Sequence, residues 1–333
     1  LGDVYKRQGR NAMQPNQPGS PNQQVFSDTL LELARQDRNV LVVTSDSRGS
    51  GRLVAFGKQL PAQIVEVGIA EQNLVGVAAG LAASGKCVFA VSPACFLTAR
   101  GLEQIKNDVA YSDQPVKLIG ISAGVSYGAL GTTHHSLHDL AVLQAINNID
   151  IVIPADNFET RAAVEAAITH ARPLYIRLGK KAMHDLHAPG TPFTIGKALR
   201  VRSGDDVAFL ATGETVEIAV QAADRLAARG IGADVLSVHS LRPFDEAAVL
   251  ETARRVKAIV TVEEHSVHGG LGSRVAGLLV QSGVTPSMRI VGILDEYTWT
   301  GSQQDIFEHY GITPTGLAAT AELLLAGKRL PVG

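Results

Sequence analysis

From Val25 onward the chain alternates short apolar runs with amphipathic stretches of helical period. A helical pattern over 26–36, with Leu30, Leu31, Leu33 and Ala34 on its apolar side, precedes the run NVLVVTSD. AQIVEVG then feeds a strongly apolar helix that begins near Glu71. The alternation continues through KCVFAVSP, the helix TARGLEQIKNDVAYS, VKLIGIS, IDIVIPAD, the helix FETRAAVEAAITH and LYIRLG. Strand-length apolar runs separated by helices predict a parallel, doubly wound sheet. HAPGTPFTIG, residues 187–196, reads as a linker because of its prolines and glycines. A second α/β unit follows: DDVAFLATG, a helix over 214–229, ADVLSVHS, a helix over 245–255, AIVTVEE, a helix over 271–283, MRIVGIL and a last helix after Thr315. The expected fold class is therefore α/β, with two doubly wound domains at 25–186 and 197–333. No repeat of solenoid period is visible.

Composition narrows this picture. A chain of 333 residues can bury two ordinary cores, and 45% hydrophobic with 19% charged residues fits a soluble globular protein. The net charge of -2 gives no reason to expect nucleic acid or an anionic membrane as partner. No run approaches the roughly 20 apolar residues of a membrane span. Cys87 and Cys95 lie in apolar stretches and read as small core residues, so a reducing cytoplasm is the expected compartment. Residues 1–24 are rich in Gln, Asn, Pro and Gly, and are expected to be a disordered tail without a secretory signal.

Four stretches offer chemistry. Glu71 stands among Gly, Ala, Val and Leu, where an ionised carboxylate is expensive unless paired or protonated. A solvent-facing acid in a first helical turn is the plainer alternative. Its position after an apolar strand is where open α/β sheets place ligands. GVSYGALGTTHHSLHDLA, residues 124–141, is either a glycine-containing loop leading to a helix capped by Thr132 or Thr133, or a loop carrying a catalytic or substrate-binding histidine. Three histidines invite a metal reading, with His134 and His138 at i, i+4 spacing and Asp139 adjacent, but a zinc site needs at least three suitably placed ligands and no HExxH pattern is present, so no metal site is expected on this chain. TVEEHSVHGGLGSRVAGLL reads as a structural turn, since Val275 breaks the dinucleotide-binding glycine pattern. LYIRLGKKAMHD places Arg177 at a strand end with Lys180 and Lys181 behind it, as a solvated basic turn or an anion grip.

Taken in order, GIAEQNLVGVAAGLA, CFLTARGLEQIKNDVAYS, GVSYGALGTTHHSLHDLAVLQAI, IVIPADNFET, YIRLGK, SLRPFD and VEEHSVHGGLGS resemble the pyrimidine-binding and C-terminal domains of the transketolase family. The resemblance covers about residues 25–333 and is nearest to the separate C-terminal subunit of split bacterial transketolases. It implies thiamine diphosphate as cofactor and ketol transfer between sugar phosphates as the reaction. It further implies that Glu71 hydrogen-bonds the aminopyrimidine as a carboxyl group kept protonated by burial, and that Phe96 stacks on that ring. His134 would meet the reacting oxygens of the substrate, and Arg177 its phosphate. Asp46 and Ser50 would lie close to cofactor and phosphate respectively.

Three positions depart from the family pattern. Leu130 stands where an aspartate reads sugar hydroxyls, Ser122 where another histidine is usual, and Leu102 where a second aromatic is usual. The GDG…N motif that holds diphosphate and Mg²⁺ is missing from the sequence. The resemblance therefore implies an N-terminal partner subunit that carries this motif, holds most of the Mg²⁺ coordination, and completes a heterotetramer. The β subunit of a 2-oxo acid dehydrogenase E1 component and a non-catalytic scaffold of the same fold are the alternatives. A 1-deoxyxylulose-5-phosphate synthase is the more distant one.

Overall fold

The structure, a computed structural model, describes residues 19–188 and 190–328. Most of the expected tail, one residue of the linker and the last five residues lie outside that range. The end of the tail does not: a helix at Asn22–Gln36 begins inside it. Its polar start is buried because it finds polar partners. The Gln23 amide meets Ser122 Oγ at 2.8 Å, and Asn157 Nδ2 donates to Asn22 Oδ1 at 2.9 Å. Composition treats such residues as solvated, and here that expectation is corrected.

The first sheet contains β1 (Val40–Thr44), β2 (Ile64–Glu66), β3 (Cys87–Pro93), β4 (Lys117–Ile121), β5 (Asp150–Val152) and β6 (Leu174–Arg177). The second contains β7 (Leu199–Arg202), β8 (Val207–Ala211), β9 (Ala233–Ser237), β11 (Ala258–Ser266) and β12 (Ser287–Ile293). Between β9 and β11 lies β10 (Ser240–Arg242), which crosses back to the first sheet. The strand orders are β10-β5-β6-β4-β3-β1-β2 and β12-β11-β8-β9-β7. Both sheets are mixed rather than wholly parallel, because β10 runs antiparallel to β5 and β7 antiparallel to β9. The α/β class holds, and the family of parallel strands β1–β6 sets the geometry of the site.

The two domains are not beads on a string. Arg242, on β10, donates to the carbonyls of Gln144, Ile146 and Ile149 in the first domain. One apolar core runs from Leu74, Leu118 and Ile151 through Ile153 and Leu241 to Leu236 and Ile259. Burying such side chains contributes about 1.5–3 kcal/mol each, so this shared core makes the junction a rigid base rather than a hinge.

Candidate active site

Strands β1 and β3 are neighbours, yet the chain between them leaves to form β2 on the far side of β1. This reversal is a topological switch point, and ligands of open α/β sheets bind at the carboxyl ends of strands beside it. The segments following those strands carry the candidate residues. Asp46 and Ser50 are exposed on the turn after β1, and Glu71 opens the helix Glu71–Ala83 after β2. Phe96 lies in the helix Ala94–Arg100 after β3, His134 in the loop after β4, and Arg177 at the end of β6.

Glu71, Phe96 and His134 are joined by an unbroken series of contacts. Glu71 is only 3% exposed, and its Oε2 accepts from Arg100 Nη1 at 3.1 Å. The burial cost that singles out Glu71 is thus met by an ion pair. The Arg100 guanidinium also lies over the Phe96 ring, 4.6 Å from its centre. Phe96 and His134 meet edge to face at 5.2 Å, and Tyr127 packs on His134 in the same way at 5.3 Å. Lys180 Nζ stands 4.3 Å over the Tyr127 ring. Partial burial and the positive charge of Arg52 lower the Lys180 pKa, placing two cations near this end of the series. Thr133 Oγ1 is 2.9 Å from His134 Nδ1 and fixes the imidazole plane.

The other expected residues are placed differently. Arg177 is not an open anion grip, because its guanidinium is 6% exposed and already committed. Its Nε donates to Asp139 Oδ2 at 2.8 Å, and its Nη2 to the carbonyls of Ser136 and Glu264 at 3.0 Å each. Tyr175 Oη donates to the same Asp139 oxygen at 2.7 Å. Burial opposes both charges of the Arg177–Asp139 pair, but their attraction outweighs it, so the arginine pKa is raised and the aspartate pKa lowered. Asp46 belongs to a local turn, with its N–H donating to Glu66 Oε1 at 2.7 Å.

The expected histidine pair also separates. His134 joins the aromatic contacts, while His138 Nε2 lies 3.3 Å from Thr98 Oγ1; His138, rather than Thr132 or Thr133, precedes the helix Asp139–Ala145, and it makes no side-chain capping bond. Among the described residues no group of three or more His, Cys, Asp or Glu side chains could hold a metal ion. Of the three departures, Leu130 is 55% exposed on the His134 loop and Ser122 is buried against Gln23. Leu102 packs against the core beside a groove that also includes Val142 and Ile146.

Sequence reasoning passed over Arg100 and Tyr127. Arg100 had a usable signal, since residues i and i+4 share a helix face and place it beside Phe96. Tyr127 had none beyond lying in the quoted loop.

Family models support the architecture. The model described as "Transketolase, pyrimidine binding domain" matches residues 21–184, and "Transketolase, C-terminal domain" matches 196–317. The fold and site thus define the pyrimidine-side half of a thiamine-dependent enzyme. One of the subunits of the apulose-4-phosphate transketolase of Phocaeicola vulgatus is 48% identical over 297 residues, covering 89% of this chain and 95% of that protein. The 6-deoxy-6-sulfo-D-fructose transketolase subunit SqwH of Clostridium sp. (strain MSTE9) is 38% identical over 89% of this chain and 92% of that protein. A solved structure described as a split gene transketolase, inactive beta4 tetramer, superposes with a TM-score of 0.85 at 35% identity, covering 93% of this chain and all of that one. The chain belongs to the transketolase family and corresponds to the C-terminal subunit of its split enzymes. Membership implies dependence on thiamine diphosphate. Among the described residues no helix is long and apolar enough to cross a membrane.

Proposed function

We propose that this chain supplies the pyrimidine half of a split transketolase site and moves a two-carbon ketol unit between sugar phosphates. The supporting observation is the contact series Glu71–Arg100–Phe96–His134 at the carboxyl edge of the first sheet. Arg100 stacks on an aromatic face while donating to a buried carboxylate. An aminopyrimidine would stack on the same ring face, and its ring nitrogen would share a proton with the same carboxyl group, so the residues present fit the cofactor once the half-exposed Arg100 gives way. When bound, thiamine diphosphate supplies the carbon nucleophile and electron sink for breaking and forming the carbon–carbon bond.

With the cofactor bound, Glu71 would share a proton with the pyrimidine ring nitrogen. Phe96 would orient the ring by stacking. His134, with Nδ1 engaged by Thr133, keeps Nε2 for proton exchange with a substrate oxygen. Lys180 and Arg52 are the cations proposed for the sugar phosphate, in place of the committed Arg177. Leu130 offers no acceptor for a hydroxyl. The apulose 4-phosphate named for the Phocaeicola relative is therefore the first sugar phosphate to test.

Diphosphate and Mg²⁺ are assigned to an N-terminal partner subunit carrying the GDG…N motif, in a two-plus-two heterotetramer. A reducing cytoplasm, consistent with two unpaired cysteines, is the proposed compartment. Glu71→Gln in the reconstituted complex should lower kcat by about 10²–10⁴ with the thermal midpoint nearly unchanged. Unchanged turnover would support the scaffold alternative, and CO₂ release from a 2-oxo acid would support the dehydrogenase one.

A further inference from the structure

The loop that presents His134 is closed at its neck, and one residue of the second domain holds both sides of that neck. Gly124 and Ser136 face each other across an isolated antiparallel bridge, with Ser136 N–H donating to the Gly124 carbonyl at 2.8 Å. On one side, Val125 N–H donates to Glu264 Oε1 at 2.8 Å. On the other, Arg177 Nη2 links the Ser136 carbonyl to the Glu264 carbonyl, at 3.0 Å each. Gly124 has φ +62, and a Cβ there would lie 2.3 Å from Glu264 Cδ, so only glycine lets the carboxyl group reach the neck.

Glu264 is not alone in this junction. Gln303 Nε2 donates to Glu264 Oε1 at 2.8 Å and to Glu214 Oε2 at 3.0 Å, bringing two buried carboxyl groups to one donor. Glu214 Oε1 in turn accepts from Lys181 N–H at 2.9 Å, beside the segment whose Lys180 covers Tyr127. Both acids belong to the second domain, and both hold segments of the first that line the candidate site.

We propose that Glu264, with Glu214 as its neighbour, is a positioning residue for the His134 loop, and that a proton held by this pair keeps the loop docked on the second domain. The catalytic part of this inference rests on the proposed ketol-transfer function; the docking part does not. Two carboxylates sharing one donor in a buried site cannot both ionise without mutual repulsion. Burial, followed by the charge of Glu214, pushes Glu264 up to about 8. Burial likewise raises Glu214, against the Gln303 and Lys181 hydrogen bonds. The charged groups facing the pair are Arg177, itself neutralised by Asp139, and Lys181. Glu264 thus keeps its proton until pH rises to about 8 and releases it above that.

Hydrogen exchange of residues 125–136, expressed as protection relative to the intrinsic rate, tests the docking on this chain without its partner. Protection in the wild-type chain should fall as pH passes above about 8. Glu264→Gln mimics the protonated side chain and should keep protection constant across that range. Glu264→Ala removes the anchor and should lower protection about tenfold or more at every pH. Glu263→Gln serves as control, because Glu263 accepts from Leu271 and Gly272 at the start of a helix rather than from the loop. In the reconstituted complex, Glu264→Ala should lower kcat with little change in KM, and Glu264→Gln should flatten the alkaline limb of the kcat profile.

A wild-type pH dependence retained by Glu264→Gln, or loop protection unchanged in Glu264→Ala, would overturn the proposal. If the wild-type complex turns over no sugar phosphate, the functional reading fails while the exchange measurement still decides the docking.

Discussion

Two arginines lie at the carboxyl edge, and their surroundings give them different roles. Arg100 is 52% exposed on its side chain and bridges Glu71 to Phe96, so it can leave without unmaking the fold. Arg177 is buried on Asp139, Ser136 and Glu264, so removing it strands a buried aspartate. Breaking such a pair from one side costs about 3–5 kcal/mol. Arg177→Met should show a loss of that order in urea denaturation. Lys180→Met should stay within about 0.5 kcal/mol of wild type while raising KM for the sugar phosphate. The sequence made Arg177 conspicuous as a basic residue ending a strand. It could not show that Asp139, 38 positions away, claims the guanidinium. Position after an apolar strand singled out Glu71, the glycine-containing loop offered a histidine as one of two readings, and Phe96 came from the family resemblance alone.

At the scale of elements, the alternation of apolar strands and helices was sufficient for β1–β6 and for most of the second sheet. The two antiparallel strands escaped it. β10 reads Ser-Leu-Arg and β7 reads Leu-Arg-Val-Arg, so polar residues interrupt both and neither produces a continuous apolar run. The helix Asn157–Thr169 shows how the linker is then held. Asp156 caps it by accepting from Glu159 N–H at 2.8 Å, and Glu159 Oε2 accepts from Ala155 N–H at 2.7 Å. Glu159 Oε1 receives Ser237 Oγ at 2.7 Å and lies 2.8 Å from His187 Nε2, joining helix, linker and second domain. Burial lowers the His187 pKa, but the bond to Glu159 outweighs it and leaves the value raised. A raised histidine contributes stability that is fully present below its ordinary value of 6.5 and lost as pH rises through its folded value. His187→Phe should remove that part of the alkaline loss, as read by urea midpoints on either side of neutrality; an unchanged slope would contradict the linker clasp.

The whole molecule adds buried acids to the same trend. Burial pushes Glu263 up to about 7 and, with the charge of Glu214, Glu264 up to about 8. Carboxyl groups with raised values stabilise the fold fully below their ordinary 4.5, and that contribution is lost as pH rises through 7 to 8. Asp139 and Glu159 are lowered instead, so their contribution is lost only as pH falls below the ordinary carboxylate range. Relative to a variant carrying Glu263→Gln and Glu264→Gln, the wild-type thermal midpoint should therefore fall as pH rises toward 9; a difference that does not change with pH would contradict these assignments. A shared core and the Glu264 contact with Val125 join the first domain to the second. The central claim is that a second polypeptide completes the candidate active site. Ketol-transfer activity should be followed while the chain is titrated with its N-terminal partner in thiamine diphosphate and Mg²⁺. The account predicts no turnover from either protein alone and a rise that saturates at equimolar subunits. Full activity from this chain alone, or none at any ratio with a range of ketose phosphates including apulose 4-phosphate, would contradict it.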